Sequence, residues 1–111
     1  MAKVTDRITE PYDMLMRAYP LVRAAIVESI IHHGQLTGDP VRAAAILTEE
    51  VGEAVKEALA YTRTVKASID SDDERSNMIH ELAQVAAVAV MMIAIHAEDR
   101  DFGDTGGVDG E

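Results

Sequence analysis

Leu47-Thr48-Glu49-Glu50-Val51-Gly52-Glu53-Ala54-Val55 is the stretch on which the reading of this chain turns. Helical spacing runs through and beyond it: Leu47, Val51, Ala54, Ala58, Thr62 and Val65 form one stripe, and Glu50, Glu53 and Glu57 another. Glu50 and Glu53, three residues apart, therefore leave the helix on one face, with Glu49 adding a third acid in the same turn. Like charges placed side by side repel, so a helix gains no stability from this arrangement. A second stretch, His80-Glu81-Leu82-Ala83-Gln84-Val85, repeats the i, i+3 spacing with Glu81 and Gln84 in almost wholly apolar surroundings. Acids that face each other across a helical hairpin suit a hard divalent cation, because Mg²⁺ takes oxygen ligands and keeps several waters. The reading is a Mg²⁺ site for chemistry on a phosphate chain.

The register allows this pairing. With a hairpin turning near Ile69, Glu50 and Glu53 lie 19 and 16 residues before the apex, and Glu81 and Gln84 lie 12 and 15 after it. The pair centres differ by four residues, roughly 6 Å along a helix, which an asymmetric connection absorbs. Gly52, inside the acidic helix, costs roughly 1 kcal/mol against Ala and is expected to permit a close approach.

Working outward, Thr9-Glu10-Pro11 reads as a helix start capped by Thr9 or Glu10. Pro20 should interrupt or kink that helix, which continues from Leu21 to His33 and stops at Gly34. Asp39-Pro40 is an N-cap acid followed by Pro at the first helical position, opening a helix that runs to about Lys66. Ser71-Asp72-Asp73-Glu74 has the form of a capping box, and the last helix extends to about Glu98. No segment alternates apolar and polar residues in the manner of a strand, and no repeat is present. The fold class is all-α, a helical bundle built around an antiparallel hairpin, occupying residues 1–100. From Glu98 onward six acids meet a single base, Arg100, with four glycines. Residues 101–111 read as an acidic, Gly-rich disordered tail.

Composition narrows the function. The chain has 111 residues, one small domain, and a net charge of −10 that argues against nucleic acid, whose phosphates need clustered Lys and Arg. It lacks cysteine, which fits a reducing compartment, and it opens without an apolar signal region. The apolar run from Leu82 to Ala97 is shorter than the roughly 20 residues of a membrane span. A cytoplasmic protein without membrane contact is expected. Because a helix apolar on nearly every side must be covered on nearly every side, a second subunit is expected to cover that run.

Plainer readings stand beside these. Glu49, Glu50 and Glu53 alone would be a solvated helix face, and Arg42, Lys56, Arg63 and Lys66 on the same helix would either meet phosphates or pair with Glu49, Glu53 and Glu57. Glu81 and Gln84 weigh against that, since a buried Glu without a partner is costly. His32 and His33 suit the C-terminal end of a helix, His80 could support a metal ligand, and His96 reads as a helix-end residue. Met91 and Met92 read as core filler.

At these residues the chain resembles a known family. Leu47-Thr48-Glu49-Glu50-Val51-Gly52-Glu53, followed by Glu81-Leu82-Ala83-Gln84-Val85, is similar to the MazG-like all-α nucleoside triphosphate pyrophosphohydrolases, whose pattern is E-E-x-x-E, a gap, then E-x-x-D. The similarity covers about residues 21–97. It implies an oligomeric helical bundle, a homodimer or homotetramer, that hydrolyses a nucleotide between its α- and β-phosphates to a monophosphate and pyrophosphate. It implies Mg²⁺, with Mn²⁺ as a substitute, held by Glu50, Glu53 and Glu81, and Glu49 as an acid that orients water. Gln84 stands where the family has an Asp, so the site loses one formal charge, although a carboxamide oxygen still binds Mg²⁺. Family branches with E-x-x-Q look similar to Gln84–Ala89. The competing expectation is a catalytically weak relative that binds nucleotides or serves as a helical assembly module.

Overall fold

The computed structural model describes residues 10–105. The described chain is helical throughout, with three long helices and one short one: α1 Pro11–His33, α2 Pro40–Lys66, α3 Asp72–His96 and α4 Asp99–Thr105. Among the described residues there is no strand, so the all-α class holds.

Local chemistry sets most of the boundaries. Pro11 and Pro40 open α1 and α2, where a missing N–H costs nothing. Asp39 caps α2 through its Oδ1, which accepts from Val41 N at 3.0 Å. Glu10 occupies the N-cap of α1 but makes no side-chain cap bond, and Thr9 lies outside the described residues. Pro20 sits inside α1 without ending it. Gly34 closes the helix at φ +74°, a conformation open to glycine, with its N–H bonded to Ile30 O at 2.9 Å. The α2–α3 connection is a Schellman turn, with Ser68 N donating to Val65 O and Ile69 N to Thr64 O. Ser68 fills its left-handed position at φ +58°.

Three local expectations need correction. Ser71 is the N-cap of α3, yet its side chain makes no cap bond, and the capping box does not form. Asp70 does that work instead: its Oδ1 accepts from Asp72 N at 3.1 Å. Gly52 permits no close approach within the chain, because a side chain added there would meet nothing within 4 Å. The segment read as a tail begins as helix α4, stabilised where Asp101 Oδ2 accepts from Glu98 N at 2.8 Å. Residues 106–111 of that segment lie outside the described residues.

Helix α3 is the centre. It packs against α2 on one side and α1 on another, while α1 and α2 make no packing contact with each other. The buried set is small: Ala25, Ala43, Ala54, Ala87, Val88 and Met91. Small side chains bring the helices close but bury little area, and no large side chain is fully buried. Val55 is 53% exposed, Leu59 51% and Leu82 49%, and they belong to an apolar surface that α2 and α3 present together. The apolar faces of the helices are only part covered.

By length and composition α3 is also apolar enough to cross a membrane, since the whole helix counts 25 residues rather than the shorter apolar run. Its first half carries Glu74, Arg75, His80, Glu81 and Gln84, and two polar-faced helices pack along it.

Candidate functional site

The hairpin of α2 and α3 places its two acidic motifs together. Glu49, Glu50 and Glu53 rise from the middle of α2, and Glu81 from α3 lies close enough to Glu50 to act on it electrostatically. Glu50 and Glu81 are half-buried, whereas Glu49 and Glu53 are exposed. Glu50 records the crowding. Partial burial removes water from its carboxyl group and pushes the pKa up from the ordinary 4.5; Glu81, Glu53 and Glu49 push it further the same way. His33, at the end of α1, acts in the opposite sense.

Among the described residues no Lys or Arg pairs with this cluster, and His33 is the one group that offsets the charge on Glu50. The ion pairs among the described residues are Arg75–Asp72 at 3.9 Å and Arg100–Glu98 at 3.1 Å; no Lys or Arg pairs with Glu49, Glu50, Glu53 or Glu81. Arg42, Lys56, Arg63 and Lys66 are exposed. The laced-face reading therefore loses its ion pairs among the described residues, and the repulsion on Glu50 is offset only in part, by His33.

Gln84, one turn beyond Glu81, is turned to the other neighbour of α3. Its Nε2 donates to Glu28 Oε1 of α1 at 3.4 Å. Two residues that the sequence reading missed thus join the region, Glu28 and His33. For Glu28 a signal existed: it is the one acid in the segment from Leu21 to Ile31, whose other polar residues are Arg23 and Ser29, an anomaly like the one that marked Glu81. His33 gave none, since an adjacent histidine pair at a helix end looks solvent-facing, and both are indeed exposed. His80 lines the groove between α1 and α3 rather than the α2 side.

The donor set suits a hard cation in kind, being carboxylate oxygens that lack a counter-charge. Among the described residues no three acids or histidines come close enough together to hold a metal ion between them. Mg²⁺ needs no such group, because it usually keeps several waters and takes one or two carboxylates together with substrate phosphates. Glu50 and Glu81, half-buried and facing across the hairpin, are the pair best placed for this, with Glu53 a turn away.

No protein-family profile, no curated protein sequence and no solved structure matches this chain.

Proposed function

We propose that this protein is a Mg²⁺-dependent, MazG-like nucleotide pyrophosphohydrolase, cleaving a nucleoside triphosphate or related nucleotide to a monophosphate and pyrophosphate. The observation that carries this reading is the crowding of Glu49, Glu50 and Glu53 against Glu81 on a second helix, with no Lys or Arg paired to them among the described residues. An arrangement that costs stability in the bare protein has a use if a cation completes it.

Glu50 and Glu81, with Glu53 a turn away, would hold the metal, and Gln84, whose Nε2 is engaged by Glu28, would add at most a neutral oxygen. The chemistry a divalent cation would supply there is charge neutralisation of the phosphate chain and an acidified water. Glu49, exposed beside Glu50, would orient that water. The four carboxylates would repel an anionic substrate unaided, which is why metal must bind with or before it.

Two copies, or a pair of pairs, form the working unit. The exposed apolar side chains of α2 and α3, among them Val51, Val55, Leu59 and Leu82, are what such a pairing covers. Cytoplasmic residence goes with this reading, because Glu74, Arg75 and Glu81 would be costly in hydrocarbon and a second copy covers what a lipid would otherwise have to.

The test is pyrophosphate release from a panel of nucleoside triphosphates with Mg²⁺ or Mn²⁺. Release that disappears with chelator is expected. Tight nucleotide binding without release would favour a binding or assembly module instead.

A further inference from the structure

A groove of about 520 Å³ runs between α1 and α3, within the range of small-molecule sites. Leu21 and Ala25 of α1 and Ala83 of α3 give it apolar walls, and His80 gives it an aromatic one. Glu28 and Gln84 stand on its opposite sides, joined by the 3.4 Å bond from Gln84 Nε2 to Glu28 Oε1. That bond is long and leaves most of the carboxylate's acceptor capacity open. No Lys or Arg pairs with Glu28 among the described residues. The groove therefore offers a flat apolar slot with an uncompensated pair of carboxylate oxygens at its edge.

We propose that this groove is a base-recognition site and that Glu28 selects a guanine nucleotide. The inference rests on the nucleotide reading above and deepens it by naming the substrate class. Guanine carries a ring N1–H and an exocyclic amino group side by side, two parallel donors that match the two oxygens of one carboxylate. Adenine and cytosine present an amino group next to a bare ring nitrogen, so the second oxygen would face an acceptor. Uracil and thymine place one N–H between two carbonyls. A site built on donor–acceptor matching rejects such mismatches strongly, because its own polar group is left unpaired. The apolar walls and His80 take the faces of the ring. Gln84 is a positioning residue: its amide N–H holds Glu28 in place. Gln84 follows Glu81 by one helical turn, so the groove and the Glu50–Glu81 pair lie at neighbouring levels of α3.

Two measurements on the full-length protein and its E28Q variant test this. Equilibrium binding of GMP and AMP in chelator reads the groove without metal or turnover. Steady-state hydrolysis of GTP, ATP, CTP and UTP with Mg²⁺ reads it in the working site. Glu28 is exposed, so E28Q is expected to fold normally. The parent should bind GMP at least about tenfold more tightly than AMP and prefer GTP in kcat/KM by a similar factor. E28Q should abolish both preferences through KM, leaving kcat within about twofold of the parent's. Equal treatment of all bases by the parent, or a guanine preference that survives E28Q, overturns the proposal. Hydrolysis without base preference would leave the pyrophosphohydrolase reading standing and remove only this one. Guanine-selective binding without hydrolysis of any nucleotide would do the reverse.

Discussion

Glu50 is the residue in which the account can be read most directly. Its carboxyl has a raised pKa, from desolvation first and then from Glu81, Glu53 and Glu49. The sign follows from linkage. A carboxyl whose pKa is higher folded than unfolded favours the folded state when protonated, and that contribution is lost as pH rises through the raised value. In metal-free protein at neutral pH, E50Q is therefore expected to melt higher than the parent. The difference should close as pH falls toward the ordinary Glu value of 4.5. Thermal melts in chelator across that range check it; a lower melting temperature for E50Q at neutral pH would mean that the carboxylate has a counter-charge. Much of this cluster was legible in the sequence, because i, i+3 spacing and the isolation of Glu81 among apolar residues are local patterns. Glu28 was not paired with Gln84 there, because the two are 56 residues apart and only the packing of α1 on α3 brings them together.

Among the elements, the ends of the helices separate what sequence specifies from what geometry decides. Asp39 was readable as a cap and is one, so D39A should cost about 1 kcal/mol in denaturant unfolding. Ser71 had the sequence of a capping box, but its side chain makes no cap bond, and the side-chain acceptor at this helix start is Asp70, which takes the N–H of Asp72. S71A should therefore stay within about 0.5 kcal/mol of the parent, and a loss the size of that at Asp39 would restore the capping box. Ser68 holds the left-handed position of the Schellman turn, where a Cβ is strained. S68G should stabilise the hairpin by about 0.5–1 kcal/mol, read in the same titration, and destabilisation would show that the side chain is needed there. Neither Ser68 nor Asp70 could be assigned in advance, since the three-dimensional path of the connection, not its composition, selects which residue turns and which caps.

For the whole molecule, the all-helical class was legible because no segment alternates and every apolar stripe has helical spacing. The arrangement was less so: α1 and α2 flank α3 without touching, which periodicity alone does not reveal. The consequence is an apolar surface along α2 and α3, formed by residues such as Val51, Val55 and Leu82 around a groove between the helices. Sedimentation at micromolar concentration should give at least a dimer, and V55D should shift it toward monomer with a loss of several kcal/mol in stability, since it buries a charge in the interface. A parent that sediments as a stable monomer would remove the oligomer from the proposal.

If the acids of α2 and α3 form a divalent cation site, Mn²⁺ or Mg²⁺ binding by the parent and by E53Q must show it. Millimolar cation should raise the parent's melting temperature, as a ligand that binds only the folded state must, and titration calorimetry should show saturable binding that E53Q weakens at least about tenfold. Metal-free E53Q should be as stable as the parent or more so, since one repelling charge is gone. A parent whose melting temperature does not move with either cation, with and without nucleotide, would contradict the site.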